Sequence, residues 1–240
     1  MSDISETRPD WRRGGWAIVG VALGAIVVGQ VAAVITGALA AALAGTTPSA
    51  NGHWPAWFTF STEVGIWLGF ALGFLFAYRR GVFPAGAWRW RGSDIALLWV
   101  GVVAQFVVGL LYLPFHLHNL DGPVVKIMGS ASATHTAVIA AVTIAGAPFF
   151  EELLFRWAIL GGLLRALPST SRGRAIAVVV SAAIFAGTHF ELRQFAGLFL
   201  VGCLLAVVRL FFNRLWPSVM VHAGFNGIAL VSYFLSKGHH

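Results

Sequence analysis

Away from loops and span ends, six ionisable side chains stand in the apolar part of this 240-residue chain: Glu63, Glu151, Glu152, Arg156, His189 and His222. Five of the six fall in the C-terminal half. A charged side chain at the centre of a bilayer costs at least about 2.5–3.5 kcal/mol even on lenient insertion scales, so such residues point to function by default. Their spacing sorts them. Glu152 and Arg156 are four apart, share a helix face and can pair, which answers the problem of a lone buried charge. Glu151 is rotated about 100° from Glu152 by helix geometry and is free to face a cavity. Phe185 and His189 are four apart, as are His222 and Asn226. A carboxylate, two imidazoles and a carboxamide can hydrolyse a peptide bond. The acid takes a proton from the attacking water, and N–H groups of His and Asn steady the developing oxyanion. The same set can instead hold zinc through His189, His222 and Glu151, with an open position for water.

The elements that must position these residues are membrane helices. The chain is 58% hydrophobic and 10% charged, against about 25% charged in an average soluble domain. Apolar stretches of roughly 20 residues recur, and seven spans are predicted at 15–44, 56–78, 94–115, 134–164, 174–190, 194–212 and 216–236. Alternate loops carry twelve basic residues, among them Arg12, Arg13, Arg79, Arg80, Arg165, Arg172 and Arg214. The opposite loops carry Lys126, Arg193 and Lys237. This bias places the N-terminus in the cytoplasm. The first apolar run is too long for a cleavable signal and reads as a retained span. A single Cys203 excludes an internal disulfide framework and a multi-Cys zinc site. The net charge of +7 sits in loops, where it sets topology rather than binding nucleic acid. Trp88-Arg89-Trp90-Arg91 reads as an interfacial belt.

Three motifs then stand in order. Glu151-Glu152-x-x-x-Arg156, Phe185-x-x-x-His189 and His222-Ala223-x-x-Asn226 resemble those of the CPBP family, the CAAX prenyl endopeptidases and bacteriocin-processing (Abi) proteins. Gly197, Gly202 and the run Asn213-Arg214-Leu215-Trp216-Pro217-Ser218 resemble the family's intervening segment. The resemblance covers about residues 130–230 of what reads as a single membrane domain, 1–240. It implies an all-α bundle of seven or eight spans and an intramembrane endopeptidase acting on a membrane-embedded or lipid-anchored peptide or protein. It further implies Glu151 as the water-activating residue. His189, His222 and Asn226 would complete the site, and Glu152 and Arg156 would be a supporting pair. Family members have been described both as metalloproteases and as glutamate-dependent enzymes. With only two histidines at the site, no cofactor is the favoured expectation, and zinc is the alternative. The composition suggests a bacterial inner membrane.

Other residues have plainer readings. Glu63 is expected at the outer interface. His53, His116, His118 and His135 are expected as solvated loop histidines, and Cys203 as packing. One geometric difficulty stands out. The predicted spans put His189 near the outer end of span five but His222 about two turns inside span seven. For the two to meet, span six must be short or tilted, or the ends of span five lie elsewhere. Two other functions fit part of the pattern: a proton- or cation-coupled transporter, since buried Glu and His also mark ion pathways, and a protease-like scaffold that binds without cleaving. No internal repeat of the transporter kind is visible.

Overall fold

A computed structural model describes residues 11–45, 56–115 and 133–237. The described residues form helices and no strand. α1 is Trp11–Ala44 and α2 is Ala56–Arg79. Short 3-10 turns at Ala85–Trp88 and Gly92–Leu97 lead into α3, Leu98–Tyr112. α4 runs continuously from Ala133 to Ala166. α5 is Ser171–Gly187, α6 is Phe195–Phe212 and α7 is Leu215–Lys237. Among the described residues, five segments are long and apolar enough to cross a bilayer: Gly14–Ala44, Trp57–Arg79, Gly92–Tyr112, Thr134–Ala166 and Phe195–Phe212. α5, at 17 residues, is about 26 Å long, slightly under a hydrocarbon thickness of about 30 Å. The protein is an all-α polytopic membrane bundle.

The bundle turns apolar surface outward as well as inward, as a lipid solvent requires. Val27, Val31 and Val34 of α1 and Val103, Phe106 and Leu110 of α3 are exposed. With no hydrophobic drive between helices in lipid, close packing falls to small residues. A Cβ on Gly69 of α2 would collide with the backbone of Gly29 of α1, and a Cβ on Gly101 of α3 would run into the Val221 carbonyl of α7. The centre of the bundle is α4, in which every residue from Glu152 to Leu163 is buried. Leu154, Phe155 and Ile159 pack there against Ile18 and Ala22 of α1, Phe70 of α2, Phe185 of α5 and Ala206 of α6. A helix covered on all sides carries its charged residues inside the protein, not toward lipid.

α4 is not a uniform helix. Its turns widen to a π-helix at Val142–Gly146, return to α over Ala147–Glu151, and widen again at Glu152–Ile159. Pro148 explains the first widening, because it has no N–H and its ring crowds the carbonyl four residues back. Ala147 N–H reaches Val142 O, five residues back. The Thr143 carbonyl is thereby left without its usual partner at Ala147, and residue 148 has no N–H to offer.

The Trp-Arg-Trp-Arg run is tied to the protein through its tryptophans. Trp216 Nε1 donates to Trp88 O at 3.0 Å, and the Trp90 and Trp216 rings meet edge to face at 5.5 Å. Beside them Arg214 forks onto Asp94, Nη1 to Oδ2 at 2.6 Å and Nη2 to Oδ1 at 2.8 Å. That hydrogen-bonded carboxylate holds the guanidinium above its ordinary pKa. The fork ties the start of α7 to the turn before α3, and so sets the height at which α7 presents its motif.

Candidate active site

Glu151 and Glu152 sit at the junction where α4 widens for the second time. The expected Glu152–Arg156 pair forms, with Arg156 Nε 3.4 Å from Glu152 Oε2 and both side chains fully buried. The Arg156 guanidinium also lies 4.7 Å over the Phe185 ring. Glu151 is not on an unrelated face, as a regular helix would place it. The wider turn rotates less per residue, and one imidazole reaches both acids. His222 Nδ1 is 3.2 Å from Glu152 Oε1, and His222 Nε2 is 3.7 Å from Glu151 Oε2. The division of the two carboxylates into one structural and one chemical group is therefore bridged by His222.

His189 lies beyond the end of α5, in the turn before α6, where Phe190 takes φ 53°. Its Nδ1 is 2.9 Å from Phe185 O. A carbonyl only accepts, so Nδ1–H donates and Nε2 is left for the interior. The geometric difficulty resolves at this point: α5 begins and ends three residues earlier than the predicted span. Its last turn carries Phe185, whose ring centre stands 4.9 Å from that of His189 and 5.7 Å from that of His222. Phe185 thus holds both imidazoles and the guanidinium, a role that its motif position alone does not reveal.

Asn226 Nδ2 donates to Thr143 O at 2.9 Å, the carbonyl freed by the first widening of α4. Sequence spacing gives no hint of this contact. It follows from Pro148, five residues after Thr143. Removing the carboxamide leaves that carbonyl unsatisfied, at a cost of about 1–3 kcal/mol. Asn226→Ala is expected to lower the thermal midpoint of the purified protein accordingly, and an unchanged midpoint would show the bond to carry no stability.

Glu151, His189 and Asn226 line one cavity of about 900 Å³. His222 does not line it; it is 3% exposed and stands behind Glu151. Glu151 Oε2 is buried against His222, and the accessible edge of its carboxylate faces the cavity. Glu63 lines this cavity from α2. Nothing in an all-apolar helix tells which side faces inward. His135 is no loop histidine: it lies in the first turn of α4 and is 6% exposed. His53, His116 and His118 fall outside the described residues. Among the described residues, no three of His, Cys, Asp and Glu are gathered so as to hold a metal ion. The alternative zinc set of His189, His222 and Glu151 is thus not assembled in this arrangement.

Residues 133–228 match the family model of the Rce1-like type II CAAX prenyl endopeptidases. They contain all three motifs, with Glu151, Glu152, Arg156, His189, His222 and Asn226. This segment belongs to the CAAX protease family. None of the curated proteins and none of the solved structures matches the chain. The CAAX-protease segment begins with α4, and its cavity is closed by α1, α2 and α3, which the family match does not include. The helices make the protein an integral membrane protein, and its segment 133–228 is similar to CAAX-type endopeptidases.

Proposed function

We propose that the chain is a glutamate-dependent intramembrane endopeptidase that cleaves a membrane-embedded or lipid-anchored peptide, with Glu151 activating water. The observation that carries this is the Glu151 carboxylate, backed by His222 on one oxygen and open to the cavity on the other. A water in the cavity gives its proton to Glu151 as its oxygen attacks the peptide carbonyl carbon. The proton then goes to the departing amine. Glu152, paired with Arg156, accepts from His222 Nδ1–H. That bond fixes the ring and turns Nε2 toward Glu151. Asn226 keeps one amide N–H beyond the Thr143 bond, and this is the donor best suited to the oxyanion. His189 Nε2 is an acceptor in the neutral ring, suited to holding water, and a donor once protonated. This revises the roles that the family resemblance suggests, because both nitrogens of His222 face carboxylates rather than the cavity. No step runs through a metal. The arginine bias supports an N-terminus on the cytoplasmic side of a bacterial inner membrane.

The test is cleavage of apolar 20-residue peptides by the purified chain in nanodiscs, with products read by mass spectrometry and a chelator arm in parallel. Cleavage is expected to persist in chelator. Activity lost with chelator and restored by zinc would overturn the glutamate-only mechanism. No cleavage, together with pH-dependent cation flux in vesicles, would support transport instead.

A further inference from the structure

The cavity has a polar wall that the cleavage chemistry does not use. Opposite the CAAX-protease segment, α1, α2 and α3 contribute Gln30, Glu63 and Gln105 to its lining. No hydrogen bond or ion pair joins Glu63 to any described residue, and the side chain is half-buried. Gln105 Oε1 is buried with no hydrogen-bond partner. The apolar surroundings include Trp67, whose ring is stacked on Phe150 at 4.9 Å, and Tyr112. An unpaired carboxylate among such neighbours is costly, and leaving a buried amide oxygen unbonded adds to the cost. Both groups accept hydrogen bonds. A ligand donor with positive charge would suit either group. Among the described residues that line the cavity there is no Lys or Arg. Arg156 is committed to Glu152 and Phe185, and Arg209 lies 3.6 Å over Trp157.

We propose that Glu63, with the Gln105 carboxamide oxygen, forms a cation-recognition subsite that selects substrates carrying a guanidinium or ammonium group near the bond to be cleaved. The inference deepens the endopeptidase reading and rests on it for the word substrate. The subsite itself is a binding property that can be measured without turnover. Charge attraction is strong in such a setting because little water intervenes between a ligand cation and the carboxylate. The aromatic rings nearby offer a second attraction to the same cation. The selectivity would come from helices outside the family match, which suits a family sharing chemistry while differing in what it cuts.

The experiment compares N-octylguanidinium with its neutral, nearly isosteric counterpart N-octylurea. Binding to the protein in nanodiscs is measured by calorimetry, and uptake by empty nanodiscs is subtracted. The wild type is expected to bind the guanidinium at least tenfold more tightly than the urea. In Glu63→Gln this ratio should fall to about one. In Glu151→Gln it should persist, which separates the subsite from the catalytic carboxylate. Thermal unfolding of each variant identifies any that fail to fold, and Glu63→Asp then serves as the second probe, expected to keep a reduced preference. Equal binding of the two ligands by the wild type would overturn the subsite. So would a preference that survives Glu63→Gln and disappears in Glu151→Gln. Loss of peptide cleavage in Glu151→Gln with guanidinium binding intact supports both readings. Guanidinium selectivity in a wild type that cleaves nothing retains the subsite and removes the endopeptidase.

Discussion

Glu151→Gln is expected to lower the rate of peptide cleavage by about 10²–10⁴-fold, the usual contribution of a positioned general base, with little change in folding. The substitution keeps the size of the side chain and the backbone, and removes the ability to take a proton from water. Stability should change little because Glu151, unlike Glu152, is not paired with Arg156 and instead faces His222 at 3.7 Å. The fall should appear in kcat, since the carboxylate is needed where the water attacks rather than where the peptide rests. Glu152→Gln provides the contrast. It should impair folding as well as activity, because that carboxylate meets both Arg156 and His222 in a fully buried place. Cleavage by Glu151→Gln at a rate close to wild type would sink the assignment of the base. Equal effects of the two substitutions on melting temperature would sink the division of labour between the acids.

The contrast also shows what the sequence made legible. The apolar runs placed every helix to within a few residues, because a bilayer imposes one length and one composition on whatever crosses it. The i,i+4 spacing of Glu152 and Arg156 revealed their pair, since contact along one helix depends on local geometry alone. The two acids' shared hold on His222 was hidden. It depends on a widened turn in α4 and on the height of α7, and the latter is set far away by Arg214 and Asp94. The first widening had a visible cause in Pro148, although its consequence, the Asn226–Thr143 bond, joins residues 83 apart. The place of Glu63 on the cavity wall was hidden for a different reason. Polarity patterns tell inside from outside only where the outside is water, and around α2 apolar residues face both lipid and protein.

Arg156→Met is expected to be the most destabilising single change at the site, by about 3–5 kcal/mol, the usual cost of leaving one member of a buried pair alone. The guanidinium is fully buried. None of its three nitrogens has a hydrogen bond, so its compensation is the Glu152 carboxylate at 3.4 Å and the Phe185 ring at 4.7 Å. Methionine fills much of the volume against Phe185 and leaves Glu152 with His222 and Ser218 as polar neighbours but no cation paired to it as Arg156 is. Truncating both partners acts differently. A fully apolar replacement of a buried pair is often neutral or stabilising, so Glu152→Met combined with Arg156→Met should recover much of the stability that Arg156→Met loses. It should not recover cleavage. Without Glu152, His222 Nδ1 has no acceptor, the ring is no longer fixed, and Nε2 is not held toward Glu151. A double-mutant cycle of thermal unfolding, with cleavage measured on the same four proteins, checks this. If the stability losses of the two single variants simply add, the pair is not what retains these charges. If the double variant cleaves at wild-type rate, His222 needs no anchor and the bridge between the two acids is incidental. Stability that returns without activity is the expected result. It would mean that the pair is kept for the orientation of His222, at a stability no better than an apolar core could supply.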